Sequence, residues 1–194
     1  HINYEKGTIE LEGKEYKLLD KNFPTIDPKK PYALTKEEED IMERLERAFE
    51  NCEKLQRHMH FLLNKGGLYK VYNGNLLYHG CVPLKEDGNL KSVRIFGRAY
   101  KGKGLYEVLE SYVRKGFYAM DPKEKERGKD IMWYIWLSEN SPLFGKDKMA
   151  TFERYFLAEK ETHKEKKNPY YLLLEDEKVV EKILKEFGLE NEDA

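Results

Sequence analysis

The sequence predicts an α+β fold in which a small antiparallel sheet packs with a larger helical region. Three observations lead to this prediction. A long stretch after Thr35 has helical apolar spacing, Asn73-Gly74 separates two short apolar runs as a hairpin turn does, and the pattern is helical from Gly104 onward.

The composition limits the possible number of domains, the partners and the cellular setting of the chain. The chain has 194 residues, enough for one large or two small domains with their own core, and 13% of them are aromatic, too many for a disordered chain. The formal net charge of −1 gives no reason to expect a nucleic-acid or anionic-membrane partner. The two cysteines, Cys52 and Cys81, lie far apart, so a reduced, cytoplasmic setting is expected. The longest apolar run, residues 131–137, is too short to span a membrane.

Residues 1–34 are predicted to form a β-rich strap. Residues 8–11 and 15–18 alternate in polarity around Gly13, which indicates a hairpin. Three prolines then favour extended, non-helical chain, because proline fixes φ and lacks a backbone N–H; they are Pro24, Pro28 and Pro31.

Residues 35–67 are predicted to form one long amphipathic helix. Thr35 with Glu38 is a capping-box signature, and Gly66-Gly67 ends the pattern. Apolar residues recur at alternating steps of four and three, which predicts one buried stripe over about seven turns. They are Ile41, Leu45, Ala48, Cys52, Leu55, Met59 and Leu62.

Residues 68–97 are predicted to carry the strands of the sheet. Residues 68–72 and 76–79 flank Asn73-Gly74, both of which tolerate the positive φ of a type I′ turn, and residues 92–96 form a further strand. His79 stands at the end of the second strand. Gly80 follows it and permits a sharp turn and a close approach of the backbone.

Residues 98–194 are predicted to be a helical region. A helical face begins near Gly104, and Asp121-Pro122 marks a fresh helix start. Gly128 is expected to divide the second segment before the apolar run 131–137, and two further helices are expected over 151–157 and 177–187. The face that begins near Gly104 is formed by Leu105, Val108, Leu109, Tyr112 and Val113.

Local patterns give no complete active site. The sequence has no HExxH, GxGxxG, GxxxxGK[ST] or GxSxG motif. His79 is the most interesting candidate, because a neutral imidazole at a strand tip suits Mn, Fe or Zn. From spacing alone, a structural histidine remains the simpler interpretation.

Three segments carry a resemblance to a known family: LYKVYNGNLLYHGCVPL, WYIWLSENSPLFGKDKMATFERYF and NPYYLLLEDEKVVEKILKEFGL. They resemble class III (Firmicutes-type) fructose-1,6-bisphosphatase, of the calcineurin-like metallophosphoesterase superfamily. The resemblance implies that the sheet is part of a metallophosphoesterase β-sandwich. It also implies hydrolysis of the C1 phosphate of fructose 1,6-bisphosphate, a step of gluconeogenesis, at a site with two metal ions, expected to be Mn²⁺.

In related phosphatases a strand-end His-Gly-Gly supplies a metal ligand. Leu77-Tyr-His-Gly-Cys-Val-Pro83 is similar, with Cys81 in place of the second glycine, so the resemblance implies that His79 is a metal ligand. The aspartate motif of the GDxxDRG type, the GNHD-type loop and the later GH motif do not occur here. We therefore expect an internal fragment of the enzyme that is inactive alone, with an incomplete or empty metal site and no catalytic residue that can be assigned.

A bisphosphate substrate also needs cationic contacts. Lys146, Lys148 and Arg154, in FGKDKMATFER, are the candidates, although solvated surface bases are the competing interpretation. The expected partner is fructose 1,6-bisphosphate, and a homo-oligomer formed through the helical region is possible.

A different class of function remains open. The chain could be a self-contained α+β protein-interaction or regulatory module that uses the run 131–137 and the helix after Thr35 as an interface. Core burial of both is the simpler expectation, because most apolar stripes in globular domains face inward.

Overall fold

A computed structural model of the protein describes residues 1–189, over which six α-helices, two short 3₁₀ helices (Lys160–His163 and Pro169–Leu172) and seven short strands are found. The helices are α1 (Lys36–Glu50), α2 (Glu53–Lys65), α3 (Gly102–Tyr118), α4 (Pro122–Leu137), α5 (Thr151–Phe156) and α6 (Glu177–Glu186). The strands are β1 (Ile2–Asn3), β2 (Thr8–Leu11), β3 (Lys14–Lys17), β4 (Tyr69–Tyr72), β5 (Asn75–Tyr78), β6 (Val93–Ile95) and β7 (Arg98–Tyr100). The predicted α+β class with small antiparallel sheets is confirmed.

The strands form three separate antiparallel sheets within the described residues, in the orders β1-β2-β3, β4-β5 and β6-β7. The chain divides into two units. The first contains residues 1–64 and 150–164, and the second contains residues 65–149 and those from Glu165 onward. That the strands of residues 68–97 belong to a metallophosphoesterase β-sandwich stays a prediction.

The β-rich strap of the first unit is built on the predicted hairpin. β2 pairs with β3 in the register Thr8↔Lys17. Glu12 and Gly13 both have positive φ, 51° and 76°, as a two-residue type I′ turn requires. The core of this unit contains Ile9, Leu18 and Leu157, with aromatic rings of α5 packed against them.

The prediction of one long helix over 35–67 is wrong in one respect: the chain forms two helices that meet at Asn51-Cys52. The side-chain Nδ2 of Asn51 donates to the carbonyl oxygen of Arg47 at 2.8 Å, and the Asn51 backbone N–H donates to the same oxygen at 3.0 Å. Asparagine offers the backbone a local alternative to the next helical turn, which explains why α1 ends there.

The predicted start of α1 is confirmed. The backbone N–H of Glu38 donates to Thr35 Oγ1 at 3.2 Å, and the backbone N–H of Thr35 donates to Glu38 Oε2 at 2.8 Å. These two bonds are the reciprocal pair of a capping box. The bond from the Thr35 backbone is the main reason why the pKa of Glu38 is lowered.

The predicted burial of the apolar stripe is wrong. No residue of α1 is buried, and Leu63 is the one buried residue of α2. Ile41, Leu45 and Leu62, all members of the stripe, are exposed. Amphipathic spacing predicts helical conformation here, but it does not by itself supply a surface for the apolar side to pack against.

The second unit contains two hairpins and the paired helices α3 and α4. β4 and β5 pair in the register Tyr69↔Tyr78 through Asn73 and Gly74, whose φ angles of 50° and 74° confirm the predicted turn. β6 is confirmed near residues 92–96. Its partner β7 was not predicted, because it lies only one short turn away and contains Arg98 and Ala99 rather than an apolar run.

The predicted face of α3 is confirmed, since Leu105 and Leu109 are fully buried. The start of α4 is confirmed as well: Asp121 accepts a hydrogen bond from the Lys123 N–H, and Pro122 is the first helical residue. The expectation that Gly128 divides this segment is wrong. Helix α4 continues through Gly128. The glycine instead allows α4 to pack closely on Gly116 of α3, where a Cβ would overlap the backbone.

Two buried clusters hold the second unit together. One joins the loop after β5 to α6 and consists of Cys81, Val82, Leu84, Tyr106, Tyr170, Val179, Ile183 and Phe187. The other joins β6 to α3 and α4 and consists of Ile95, Leu105, Leu109 and Ile131. The loop that follows His79 is therefore part of the core of this unit.

The apolar run 131–137 is only partly buried, contrary to the simpler expectation. Ile131 is buried, whereas Trp133 and Trp136 are 60% and 62% exposed. Their rings contact each other edge to face, with centroids 5.3 Å apart. Within residues 1–189, no helix is long and apolar enough to cross a membrane.

Candidate functional site

His79 lies one residue beyond the end of β5, at the tip of the β4–β5 hairpin opposite its turn. The Asn73-Gly74 turn fixes the register of the hairpin. It thereby also fixes the position of His79 directly after the end of β5. The His79 side chain is exposed to solvent. An accessible imidazole on an ordered strand end is compatible with ligand binding.

Gly80 explains the sharp turn behind His79. Its φ is +86°, a conformation that residues with a Cβ rarely adopt, and a Cβ there would overlap the carbonyl oxygen of Pro142. The same carbonyl accepts a hydrogen bond of 2.8 Å from the Cys81 N–H. The predicted close backbone approach is therefore confirmed, and the segment approached is the one that follows α4.

The residues beneath the turn are buried and hydrogen-bonded. The Tyr106 hydroxyl donates to the Cys81 carbonyl oxygen at 2.9 Å, and the hydroxyl oxygens of Tyr78 and Tyr170 lie 2.6 Å apart. Burial raises the pKa of the Cys81 thiol to about 12, and burial followed by the bond to Tyr170 raises the pKa of Tyr78. Cys81 is therefore a neutral core thiol, not a nucleophile.

A shallow cavity of about 400 Å³ lies beside His79. Tyr69, Lys70 and Leu77 from the hairpin line it, together with Leu143 from the segment after α4. The cavity gives the imidazole an open approach next to a lysine. Its volume is large enough for a small polar ligand and lies toward the lower end of the range for ligand pockets, about 300–1,000 Å³.

The described residues do not by themselves fit a metal centre. Within residues 1–189, no group of three or more His, Cys, Asp or Glu side chains is arranged to hold a metal ion. Catalytic metal sites in proteins need about three protein ligands, so His79 alone cannot hold the ion that the resemblance implies. The assignment of His79 as a metal ligand stays a prediction.

A second cavity, of about 440 Å³, is rich in lysines, and we call it the lysine pocket. Four carboxylates lie among the lysines, so the local charges nearly balance. The lysines are Lys85, Lys91, Lys146, Lys166 and Lys167, and the carboxylates are Glu86, Asp87, Glu139 and Asp147. Hydrogen bonds from Asn89 are the main cause of the lowered pKa of Asp87.

Of the three predicted phosphate contacts, Lys146 alone lines this pocket. Its ammonium lies 2.7 Å from Glu165 Oε2, so it is already part of an ion pair. Lys148 is half-buried and does not line the pocket. Arg154 belongs to the first unit, where its guanidinium donates to the His163 carbonyl oxygen at 3.5 Å. Lys148 therefore does not join Lys146 in this pocket, and the roles of all three residues stay predictions.

Sequence reasoning missed the other lysines of the pocket. Lys166 and Lys167 are in a charge run that is typical of a solvated loop. They reach the pocket because Lys146 and Lys167 form an antiparallel backbone bridge across 21 positions, and because the Lys166 N–H donates to Asp147 Oδ1 at 2.8 Å. No local sequence pattern predicts the pairing of Lys146 with Lys167.

Comparison with known proteins places this chain in a family. The model of the family described as Firmicute fructose-1,6-bisphosphatase matches residues 1–194, the whole sequence. The chain belongs to this family. The resemblance in the three sequence segments is thereby confirmed, and nothing in the comparisons supports the alternative of a self-contained interaction module.

Individual members of the Firmicute fructose-1,6-bisphosphatase family are closely similar. Proteins named fructose-1,6-bisphosphatase class 3 are 53% identical in Listeria innocua over 98% of this chain, and 54% identical in Clostridioides difficile over 100% of it. The corresponding protein of Clostridium botulinum is 52% identical over 100% of the chain. In each case the chain spans 29% of the length of the relative. No solved structure matches the chain closely enough for comparison.

Proposed function

We propose that this chain is a segment of a fructose-1,6-bisphosphatase, in which water hydrolyses the C1 phosphate ester to give fructose 6-phosphate and inorganic phosphate. The observation that carries the proposal is the family match over the whole chain together with identities of 52–54% to the three relatives described above. The chain spans 29% of those relatives, so the activity is proposed for the longer polypeptide and not for these residues alone.

His79 is proposed to be the contribution of this segment to the metal site. The exposed ring, the cavity beside it and the ordered turn behind it support this role. In a phosphatase of this class, bound Mn²⁺ ions would neutralise charge on the phosphoryl oxygens. The remaining ligands would have to come from polypeptide outside this chain.

Lys146 is the best supported of the three proposed phosphate contacts, because four further lysines line the same pocket. An incoming phosphate would compete with Glu165 for the ammonium group, since both are anions within reach of one cation. Lys148 and Arg154 remain weaker proposals. We place the enzyme in gluconeogenesis within the cytoplasm, because its proposed substrate is a phosphorylated sugar and both cysteines are free thiols.

The test uses the longest natural polypeptide that contains this segment. His79→Ala should lower Mn²⁺-dependent release of phosphate from fructose 1,6-bisphosphate by about 100-fold or more, since loss of even an outer-shell partner of a metal ligand costs 10–100-fold. His58→Ala, which removes an exposed imidazole from α2, is the matched control and should leave the rate unchanged.

The isolated 194-residue chain provides a second readout. It should release no phosphate and should bind Mn²⁺ weakly, because one imidazole cannot replace a full ligand set. Robust Mn²⁺-dependent turnover by this chain, or full activity of His79→Ala in the longer polypeptide, would contradict the assignment.

A further inference from the structure

The imidazole of His79 has no contact of its own that orients it. Within residues 1–189 its ring nitrogens make no hydrogen bond and no ion pair. A histidine at a functional site is usually oriented by the hydrogen bond of its second ring nitrogen. Where the described chain supplies no such bond, the direction of the ring follows from the backbone that carries it. The groups that hold this backbone therefore decide where the ring lies.

The backbone is held differently on the two sides of His79. Before it, Tyr78 is the last residue of β5 and pairs with Tyr69 of β4. After it, Gly80 has a φ of +86°. Glycine populates positive and negative φ about equally, so Gly80 permits this turn without fixing it. The turn must be fixed by contacts of the next residue, Cys81.

Both backbone groups of Cys81 are hydrogen-bonded. Its N–H donates to the carbonyl oxygen of Pro142 at 2.8 Å, and its own carbonyl oxygen accepts from the Tyr106 hydroxyl at 2.9 Å. Among the described residues, no other donor reaches the Cys81 carbonyl. The Tyr106 hydroxyl is thus one of two groups that fix the end of the turn behind His79.

The contact between Tyr106 and Cys81 lies entirely inside the second unit. Both residues are fully buried by the chain itself, so their contact does not depend on what polypeptide outside the chain covers. The Tyr106 ring also contacts three aromatic rings edge to face, with centroids between 5.4 and 6.1 Å apart. They are the rings of Tyr69, Tyr78 and Phe187. Removal of the hydroxyl alone would therefore leave the ring packed in place.

We propose that the Tyr106 hydroxyl is a positioning group for the His79 imidazole. By holding the Cys81 carbonyl, it fixes the peptide that closes the turn and thereby the direction in which the ring points. Phenylalanine at position 106 would leave a buried carbonyl without a donor and would allow the turn to rotate about Gly80. The consequence for catalysis rests on the function proposed above for His79, whereas the coupling of Tyr106 to the ring does not.

The first measurement is NMR of the histidine rings in the full 194-residue chain, labelled with ¹³C-histidine and free of metal. Tyr106→Phe should shift or broaden the ring signal of His79, while the signals of the other four histidines stay in place. The spectrum of His79→Ala assigns the signal.

Tyr170→Phe is the matched control. It also removes a buried hydroxyl, which lies 2.6 Å from the hydroxyl of Tyr78. That bond joins the ends of two side chains and holds no backbone group, while the backbone of Tyr78 is fixed by its pairing with Tyr69. The ring signal of His79 should therefore remain unchanged in Tyr170→Phe.

The second measurement uses the longest natural polypeptide that contains this segment. Tyr106→Phe should lower kcat for release of phosphate from fructose 1,6-bisphosphate about 10–100-fold, the usual cost of losing an outer-shell partner. Tyr170→Phe should retain kcat, although thermal unfolding should show a similar loss of stability in both variants. In the His79→Ala background, Tyr106→Phe should have no further effect, because a positioning group acts only through the group that it positions.

The outcomes separate this proposal from the proposed function. An unchanged His79 signal in Tyr106→Phe would overturn the positioning role. Equal losses of kcat in Tyr106→Phe and Tyr170→Phe would overturn it as well, because a merely structural role predicts that the two variants behave alike. Full activity of His79→Ala would instead refute the proposed role of His79 in the phosphatase, and the NMR comparison would then decide alone whether Tyr106 positions the ring.

Discussion

Gly116 of α3 and Gly128 of α4 lie against each other where the two helices pack, and neither position has room for a Cβ atom. A Cβ on Gly116 would lie 3.0 Å from the Gly128 carbonyl carbon, and one on Gly128 would overlap the backbone of Gly116. Both glycines are buried. The two backbones are therefore in direct contact, and this contact sets how closely the helices approach.

Gly128→Ala is predicted to destabilise the protein although alanine is the better helix former. The methyl group must push α4 away from α3, and overpacking of this kind costs about 1–3 kcal/mol. Urea unfolding followed by circular dichroism measures the difference. Gly104→Ala, in α3 with no heavy atom near its potential Cβ, is the control and should stabilise by about 0.5–1 kcal/mol. If both substitutions raised the free energy of unfolding by the same amount, the helices would be shown to be free to separate.

Asn168→Ala is predicted to destabilise the second unit by about 1–3 kcal/mol, because it leaves two backbone donors without an acceptor. The buried Asn168 Oδ1 accepts hydrogen bonds from the Leu84 N–H at 3.1 Å and the Tyr170 N–H at 3.0 Å. Thermal unfolding gives the comparison. Asn89→Ala, at an exposed turn, should change stability by less than about half as much. A melting temperature unchanged by Asn168→Ala would mean that water replaces both bonds.

Neighbouring residues at the strand tip are predicted to respond in opposite ways. Gly80→Ala should destabilise by about 2 kcal/mol or more, because its φ of +86° and the Pro142 carbonyl both exclude a methyl group. His79→Ala should shift stability by no more than about 0.5 kcal/mol, because the ring is exposed. Chemical denaturation of the two variants is the measurement. A large loss for His79→Ala would indicate a structural histidine and weaken its assignment as a ligand.

Stability is predicted to fall as the pH rises above about 9. The pKa of the buried Cys81 thiol rises from 9.0 to about 12 in the folded protein, so between these values the unfolded chain releases a proton that the folded chain retains. Unfolding is then favoured by about 1.4 kcal/mol per pH unit. The contribution of Cys81 to the free energy of unfolding is fully present below pH 9. It is lost as the pH rises toward about 12, the pKa of this thiol in the folded protein.

Urea unfolding at pH 8.0, 9.0 and 10.0 tests this dependence on Cys81→Ala and on Cys52→Ala, whose thiol is exposed. Cys81→Ala should have a lower stability at pH 8 because of the small cavity, but a flatter slope above pH 9. Cys52→Ala should retain the original slope. Identical slopes in both variants would assign the alkaline loss to the buried tyrosines instead.

Short-range signals were predicted well because neighbouring residues determine them. The Thr35–Glu38 capping box, the Asn73-Gly74 turn and the Asp121-Pro122 helix start all depend on contacts within four residues. The break at Asn51 was missed because apolar spacing continues through it, and only the side-chain bond to Arg47 reveals the competition.

Features that depend on distant partners could not be predicted from one sequence. In the sequence, Gly128 resembles a residue that ends a helix. Its role in close packing becomes evident only when Gly116 of α3 lies against it in the structure. The lysine pocket requires residues 146 and 167 to pair, and no periodicity encodes that bridge. For the strand tip, the sequence indicated the turn and the close approach at Gly80 but not that Pro142 is the residue approached.

The attachment of the strand tip to α4 has a consequence for any ligand that His79 captures. Ser141 Oγ donates to the Ile135 carbonyl oxygen at 2.7 Å, and Pro142 in turn accepts from the Cys81 N–H, so the backbone at residues 79–81 is fastened to the end of a helix. The entropy of fixing that backbone is already lost when the chain folds. Capture of an ion or a substrate would have to immobilise only the two torsions of the imidazole side chain, and little of the binding free energy would be consumed in ordering the loop.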